Sequence, residues 1–475
     1  MTNPKTAFTI LTMHSQSQRP VTATLAGSAF LTGIDLFIVN VAFDDIARDL
    51  GNASTTLSQL SWILNAYAVV FAALLIPMGR IGDRYGNRLV FILGLSLFTL
   101  SSAACAAAGS VWMLVAFRAI QAIGAAAMTP TSLGLLLASL PAAQRRPAAR
   151  AWAMTGALAA AVGPALGGGL VSLSWRWAFM INGPLGVVML IAALRHLPDV
   201  RHDQDTPRPD LIGAALLTAC IGTLVLAIVQ SSDWGWVSSG VITALVVAVI
   251  LGAAFAWRTT RHASPMIDTQ LFASRSFTSA AATTLVFNLG FAGSLLGLIL
   301  WMQEVWHWSA LTTGLGVALG PLMVPITSLL AHRIAPTMRP AIMICAGCIV
   351  CAAGAALTAV SLRTGGNYWL GVLPGWILGG IGVGLAMPNL VAAGTAELPP
   401  AATSTGSGVI SMARQVGMAF GIAVLVTIVA NKVPREALPT ALLVVASINL
   451  VAALVATLML RPSPQPAPTA PQLSA

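Results

Sequence analysis

Apolar runs of about 19–27 residues recur from one end of this chain to the other, each long enough to cross a bilayer as a helix. They fall near residues 21–43, 57–78, 88–108, 112–137, 149–171, 179–197, 210–230, 237–257, 277–302, 309–331, 340–361, 368–391, 404–430 and 438–460, fourteen in all. Lipid offers no hydrogen bonds to an exposed backbone, so runs of this length fold as helices that pair their own amides. The pattern predicts an all-α integral membrane protein. Composition agrees: 57% of residues are hydrophobic and 8% charged, more apolar surface than one water-soluble core can hide.

The net charge of +10 raises nucleic acid as a partner, and the placement of the charges argues against it. Lys and Arg cluster between the apolar runs and form no basic stripe. With a cytoplasmic N-terminus, seventeen of the 24 Lys and Arg lie on the cytoplasmic side. The outer loops hold five, Arg48, Arg176, Arg363, Lys432 and Arg435; the remaining two, Arg118 and Arg414, lie inside spans. The positive-inside rule therefore sets the orientation, and an even number of spans puts both termini in the cytoplasm. The expected location is the plasma (bacterial inner) membrane, multi-pass. The first 20 residues carry no cleavable signal pattern.

Connectors divide the chain. Residues 1–20 read as a cytoplasmic N-terminus and 21–197 as a six-helix bundle closed by the polar linker 198–209. An inserted helix pair, 210–257, and a second linker, 258–276, precede a six-helix bundle at 277–460. The Pro-rich tail, 461–475, reads as disordered. A duplicated six-helix unit with an inserted pair is a transporter architecture. The cysteines, Cys105, Cys220, Cys345, Cys348 and Cys351, all lie in apolar runs without His, Asp or Glu beside them, so no metal site is expected.

The loop between spans 2 and 3 reads Gly79-Arg80-Ile81-Gly82-Asp83-Arg84-Tyr85-Gly86-Asn87-Arg88. Span 1 carries Ile34-Asp35-Leu36-Phe37-Ile38-Val39-Asn40-Val41-Ala42, and span 4 carries Arg118, Gln121 and Gly124. Span 5 carries Gly163-Pro164-Ala165-Leu166-Gly167-Gly168. Trp175-Arg176-Trp177, Phe179, Asn182 and Pro184 follow, and span 13 carries Ala413-Arg414-Gln415-Val416-Gly417. The loop resembles the cytoplasmic signature of the major facilitator superfamily. Spans 1 and 5 are similar to the fourteen-span drug:proton antiporters of the EmrB/QacA type. Phe37 and Asp44 depart from that pattern, where Thr and Pro are usual, as does Ala122, where Gly is usual. The resemblance implies the major facilitator fold, with 14 transmembrane helices, and export of small molecules in exchange for protons.

Asp35 is the one acid deep within a span, and a lone carboxylate in hydrocarbon costs several kcal/mol unless neutralised or paired. It reads either as the proton carrier and partner of a cationic substrate or as half of a structural ion pair. Arg118 lies about 9 Å from the outer end of span 4 and Asp35 about 12 Å from that of span 1, so the two share a depth. Gln121 shares a helix face with Arg118. Asn40 completes this proton-coupling and substrate set.

Gly79, Asp83, Arg84, Gly86 and Arg88 form the candidate conformational switch. Asp83 is expected to accept hydrogen bonds from the start of span 13, capped by Thr403, Ser404 and Thr405; the alternative is that the loop only makes a turn and sets topology. Gly163, Pro164, Gly167 and Gly168 allow a bend or a close helix approach. Arg414, Gln415 and Glu304 are secondary candidates.

No phosphate-binding loop appears, and Gly379-Gly380-Ile381-Gly382 lies inside a span. No cofactor is expected beyond the proton gradient as driving force. No nucleophile–base constellation suggests an enzyme. The reading is a proton-coupled exporter of small hydrophobic or cationic compounds, with export of an endogenous metabolite, import, or membrane sensing as alternatives. Expected partners are the small-molecule substrate, protons and the bilayer; a periplasmic adaptor and outer-membrane channel stay open.

Overall fold

The computed structural model describes residues 4–52, 55–198, 210–262, 265, 267, 269–334, 338–395, 400–430 and 433–458. The expected tail, 461–475, and all but the first residue of the 198–209 linker lie outside them. Every regular element among the described residues is helical. The first bundle comprises α1 (Pro4–Leu50), α2 (Leu57–Tyr85), α3 (Asn87–Ala106), α4 (Val111–Ala138), α5 (Ala142–Val171), α6 (Trp177–Met180) and α7 (Asn182–His196). The inserted pair is α8 (Leu211–Trp234) and α9 (Ser239–Arg261). The last bundle comprises α10 (Arg275–Leu300), α11 (Ala310–Ile334), α12 (Pro340–Arg363), α13 (Leu373–Thr395), α14 (Pro400–Val429) and α15 (Pro434–Thr457).

Helices α6 and α7 together make one candidate span, and the described residues hold fourteen apolar helical segments. Thirteen of these spans are long and apolar enough by themselves, and the described apolar stretch of α5, Leu158–Val171, is the fourteenth. This is the expected all-α membrane architecture.

Local chemistry sets the ends. Thr56 and Gln59 form a reciprocal capping box at the start of α2, and Ser110 accepts from the Met113 amide at the start of α4. Between α2 and α3 the chain reverses on Gly86 alone, whose φ of 101° favours glycine.

Several helix ends depart from the expected pattern. Helix α1 runs from Pro4, through the segment expected to precede the first span, to Leu50, well past residue 43. No proline stops it at position 44, and Asp44 instead pairs with Arg48 one turn later. Span 9 ends in a π-helical turn, Trp301–Val305, and span 12 starts with another, Tyr368–Val372. Helix α14 begins at Pro400, so Thr403–Thr405 lie within its first turns instead of capping it.

Within the first bundle α1 packs on α5, and α4 on both α2 and α3; in the last, α10 packs on α14, and α12 on both α13 and α15. Two helix pairs join the bundles, α5 with α11 and α2 with α14. Helix α8 lies over the second seam, its Ile221, Val225 and Val229 packed with Ala68, Val69 and Ala72 of α2 and Val416, Ala419 and Ala423 of α14. Helix α9 packs on α8, and Arg258 near its end donates to Asp210, the N-cap of α8, at 2.7 Å.

Candidate functional site

Asp35 lies at 0% exposure in the middle of the first bundle, with a hydrogen bond to each carboxylate oxygen. Arg118 of α4 donates to Oδ2 at 2.5 Å, and Gln121, one turn on, donates to Oδ1 at 2.9 Å. Arg118 also donates to Gln121 Oε1 at 2.7 Å, which holds the amide in register. Asp35 and Arg118, placed at one depth by the sequence, thus form a direct ion pair.

Three further residues complete the cluster. Asn182, at the start of α7, donates to Asp35 Oδ1 at 2.8 Å and to Ser102 Oγ at 2.9 Å. Ser102 of α3 accepts from Gln121 at 3.1 Å and donates to the Phe179 carbonyl at 3.0 Å. The Arg118 guanidinium stacks over Tyr67 of α2, 4.0 Å from the ring centre. Asn182 carried a signal, since it belongs to the motif after span 5, but nothing in that motif aimed it at span 1. Ser102 and Tyr67 carried none: a serine and a tyrosine in apolar runs are ordinary membrane-helix residues.

Arg118 borders a cavity of about 20 Å³ between the bundles, room for little more than one water. Leu36 and Asn40, Leu64 and Ala68, and Arg118 line it from the first bundle; Ala292, Leu295, Met418 and Ile422 line it from the last. Arg118 therefore joins the buried carboxylate to the inter-bundle space. Asn40 lies on the wall but outside the Asp35 cluster, its amide donating to the Leu36 carbonyl at 2.9 Å.

The bundles seal against each other on the Leu50 side of this cavity. Gly168 and Gly314 interlock: a Cβ on Gly168 would stand 2.4 Å from the Ala310 carbonyl oxygen, and one on Gly314 would stand 2.0 Å from that of Pro164. Only hydrogen fits at either position, so α5 and α11 touch backbone to backbone. Gly163 and Gly167 face α1 instead, against Phe37 and Ile38. On the same side Gln303, in the π-turn, donates across the bundles to the Val41 carbonyl at 3.0 Å. Asp49 accepts from Trp175 at 2.8 Å and from Arg176 at 2.5 Å, tying the end of α1 to the turn before α6.

The remaining candidates lie apart. Asp83 is exposed with no hydrogen bond among the described residues; the side chains of Thr403, Ser404 and Thr405, its expected partners, lie outside those residues. Gly79 faces Pro130, Arg84 stacks on Tyr85, and Arg88 donates to the Leu194 carbonyl at 2.9 Å. Glu304 is exposed at the π-turn. Arg414 and Gln415 lie on α14, away from Asp35. The described residues contain no metal-binding group of three or more His, Cys, Asp or Glu.

A family model, the Major Facilitator Superfamily, matches residues 25–422, most of the chain. The chain belongs to that superfamily. Over 405 residues it is 31% identical to the multidrug resistance protein Stp of Mycobacterium tuberculosis (strain CDC 1551 / Oshkosh), covering 84% of this chain and 74% of that one. Over 415 residues it is 33% identical to the cephamycin export protein CmcT of Amycolatopsis lactamdurans, covering 84% and 82%. An auto-inhibited POT family peptide transporter has the same fold, with a TM-score of 0.70, 16% identity and coverage of 96% and 99%. So does a D-xylose-proton symporter, with a TM-score of 0.67, 13% identity and coverage of 92% and 96%. In the superfamily's terms, the Asp35 cluster sits inside one bundle and the cavity lies between the two.

Proposed function

We propose that this protein is a fourteen-span, proton-coupled exporter of small hydrophobic compounds, working by alternating access across the plasma (bacterial inner) membrane with both termini cytoplasmic. The observation that carries the reading is Asp35: a carboxylate with no exposure, bonded through Arg118 to the wall of an inter-bundle cavity. Such a carboxylate can hold or release a proton, and Arg118 can feel the change. When Asp35 is protonated it no longer holds Arg118 as a counter-ion, and the guanidinium becomes free to change partners at the cavity. The export direction is supported by the names of the relatives, a multidrug resistance protein and a cephamycin export protein.

Glycine contacts supply the moving part. Opening the Leu50 side requires α5 and α11 to separate at Gly168 and Gly314, while the α2–α14 seam, packed at Ile76 and Val409, holds the bundles together. No cofactor enters; the proton gradient drives the cycle. The test uses inverted vesicles loaded with the full chain. Dissipating ΔpH and membrane potential stops uphill uptake of substrate, whereas uptake sustained by ATP alone without a gradient would sink the reading.

A further inference from the structure

Arg414 is the one charged residue deep in a span of the last bundle, and it has neither ion-pair nor hydrogen-bond partner among the described residues. Its Nε is shielded from solvent and unbonded. Gln415, 1% exposed, leaves its Oε1 unbonded beside it. Arg414 is half-buried, and a cation held there without a partner costs free energy, so the position favours a counter-charge from elsewhere.

Helix α14 defines the direction in which that counter-charge would come. Gly417 and Gly421 face α10, where a Cβ would meet the carbonyls of Leu285 and Leu289. Val416, Ala419 and Ala423 face α2 and α8. Between these two faces runs the strip bearing Met418 and Ile422, which line the inter-bundle cavity. At about 100° per residue, Arg414 and Gln415 flank that strip one turn before Met418. Arg414 thus stands below the cavity on the wall opposite the Asp35 cluster. Arg118 is already neutralised by Asp35. Among the described residues this side of the inter-bundle space is therefore left with one uncompensated positive charge, and protonation of Asp35 only adds to it.

We propose that the inter-bundle space, widened from this small cavity as the bundles part, takes an amphipathic organic acid, with its anionic group on Arg414 and its apolar body against Met418, Ile422 and Leu295. Gln415 orients the acid end. This deepens the exporter reading and rests on it for the cavity's role. Proton and substrate then occupy separate sites, Asp35 in the first bundle and Arg414 in the last. A cationic substrate would have to approach a wall that already carries surplus positive charge.

Equilibrium binding tests this apart from transport. The full chain, purified in neutral detergent, is titrated with 2-naphthoate, its neutral amide and 2-naphthylmethylamine, each read by thermal stabilisation and by displacement between probes. Wild type binds the acid in preference to amide and amine. Arg414→Gln weakens the acid by about tenfold or more while leaving the amide unchanged, and Arg414→Lys recovers part of the loss. Size-exclusion profiles matching wild type confirm that the variants fold. Binding of the amine alone, an acid that fails to bind, or equal acid affinity in wild type and Arg414→Gln would each overturn the proposal. Because no gradient is involved, a failure of proton coupling leaves this result unchanged.

Discussion

Asp35 and Arg118, 83 residues apart in sequence, meet at 2.5 Å with both side chains fully shielded. Removing either partner leaves the other charge buried and alone, whereas removing both leaves none. Asp35→Asn and Arg118→Gln should therefore each destabilise the protein by about 3–5 kcal/mol, and the double variant by clearly less than their sum. Thermal unfolding in detergent gives the cycle. Strict additivity would mean that the two residues act independently.

Asn182 and Gln121 share Oδ1 of the same carboxylate, at 2.8 and 2.9 Å. Asn182→Ala should cost about 1–3 kcal/mol and reduce proton-coupled turnover, because Ser102 and Asp35 lose a common donor. Asn40→Ala, outside that cluster, should leave the proton dependence of turnover near wild type. Vesicle transport measured at several external pH values separates the two variants.

Gly168→Ala places a Cβ 2.4 Å from the Ala310 carbonyl oxygen, so α5 and α11 must part. We expect about 1–3 kcal/mol of lost stability and a large loss of turnover, because the Leu50 side can no longer seal. Gly169→Ala, whose nearest neighbour would be Leu311 Cδ1 at 3.9 Å, is the control and should behave as wild type. Turnover preserved in Gly168→Ala would show that the seal tolerates separation.

Gln303→Leu removes the bond to the Val41 carbonyl. Its net worth of about 1 kcal/mol should raise the population open on that side roughly fivefold. A cysteine placed at Asn40 in a chain lacking its native cysteines would report this as faster labelling by an impermeant thiol reagent added on the Leu50 side. An unchanged labelling rate would remove the bond from the gating process.

The inserted pair has its own pH signature. Burial works to raise the Asp210 carboxyl, but the Gly213 amide and Arg258 outweigh it and hold the group below the ordinary carboxylate range. A lowered value in the folded state means that the contribution is complete above about pH 4 and is lost as pH falls through the folded value. Stability at neutral pH should not depend on Asp210 titration. Arg258→Ala should instead cost about 2 kcal/mol at pH 7 by stripping a shielded carboxylate of its donor. Thermal melts of wild type and variant between pH 7 and pH 3 check both statements.

What the sequence by itself determined is one-dimensional: span lengths, the side on which charge collects, and the depth of each polar residue. Those follow from bilayer thickness and the 1.5 Å rise of a helix, which is why Asp35 and Arg118 could be placed at one level. Even there, Asp44 in place of a proline let α1 continue to Leu50, because a missing helix stop is a weak signal beside a long apolar run. Rotation of each helix about its axis and the choice of neighbours were decided only in three dimensions. In lipid every outward face is equally apolar, so hydropathy does not say which side of α7 turns Asn182 toward α1, or that Gly168 meets α11 while Gly167 meets α1. Close packing between small residues and the satisfaction of buried polar atoms make those choices, and both depend on residues far apart in the chain. The same holds for Arg414: the sequence placed a charge inside span 13, and the packing of α14 against α2 and α10 set it one turn before the cavity-lining Met418, with no ion-pair or hydrogen-bond partner among the described residues.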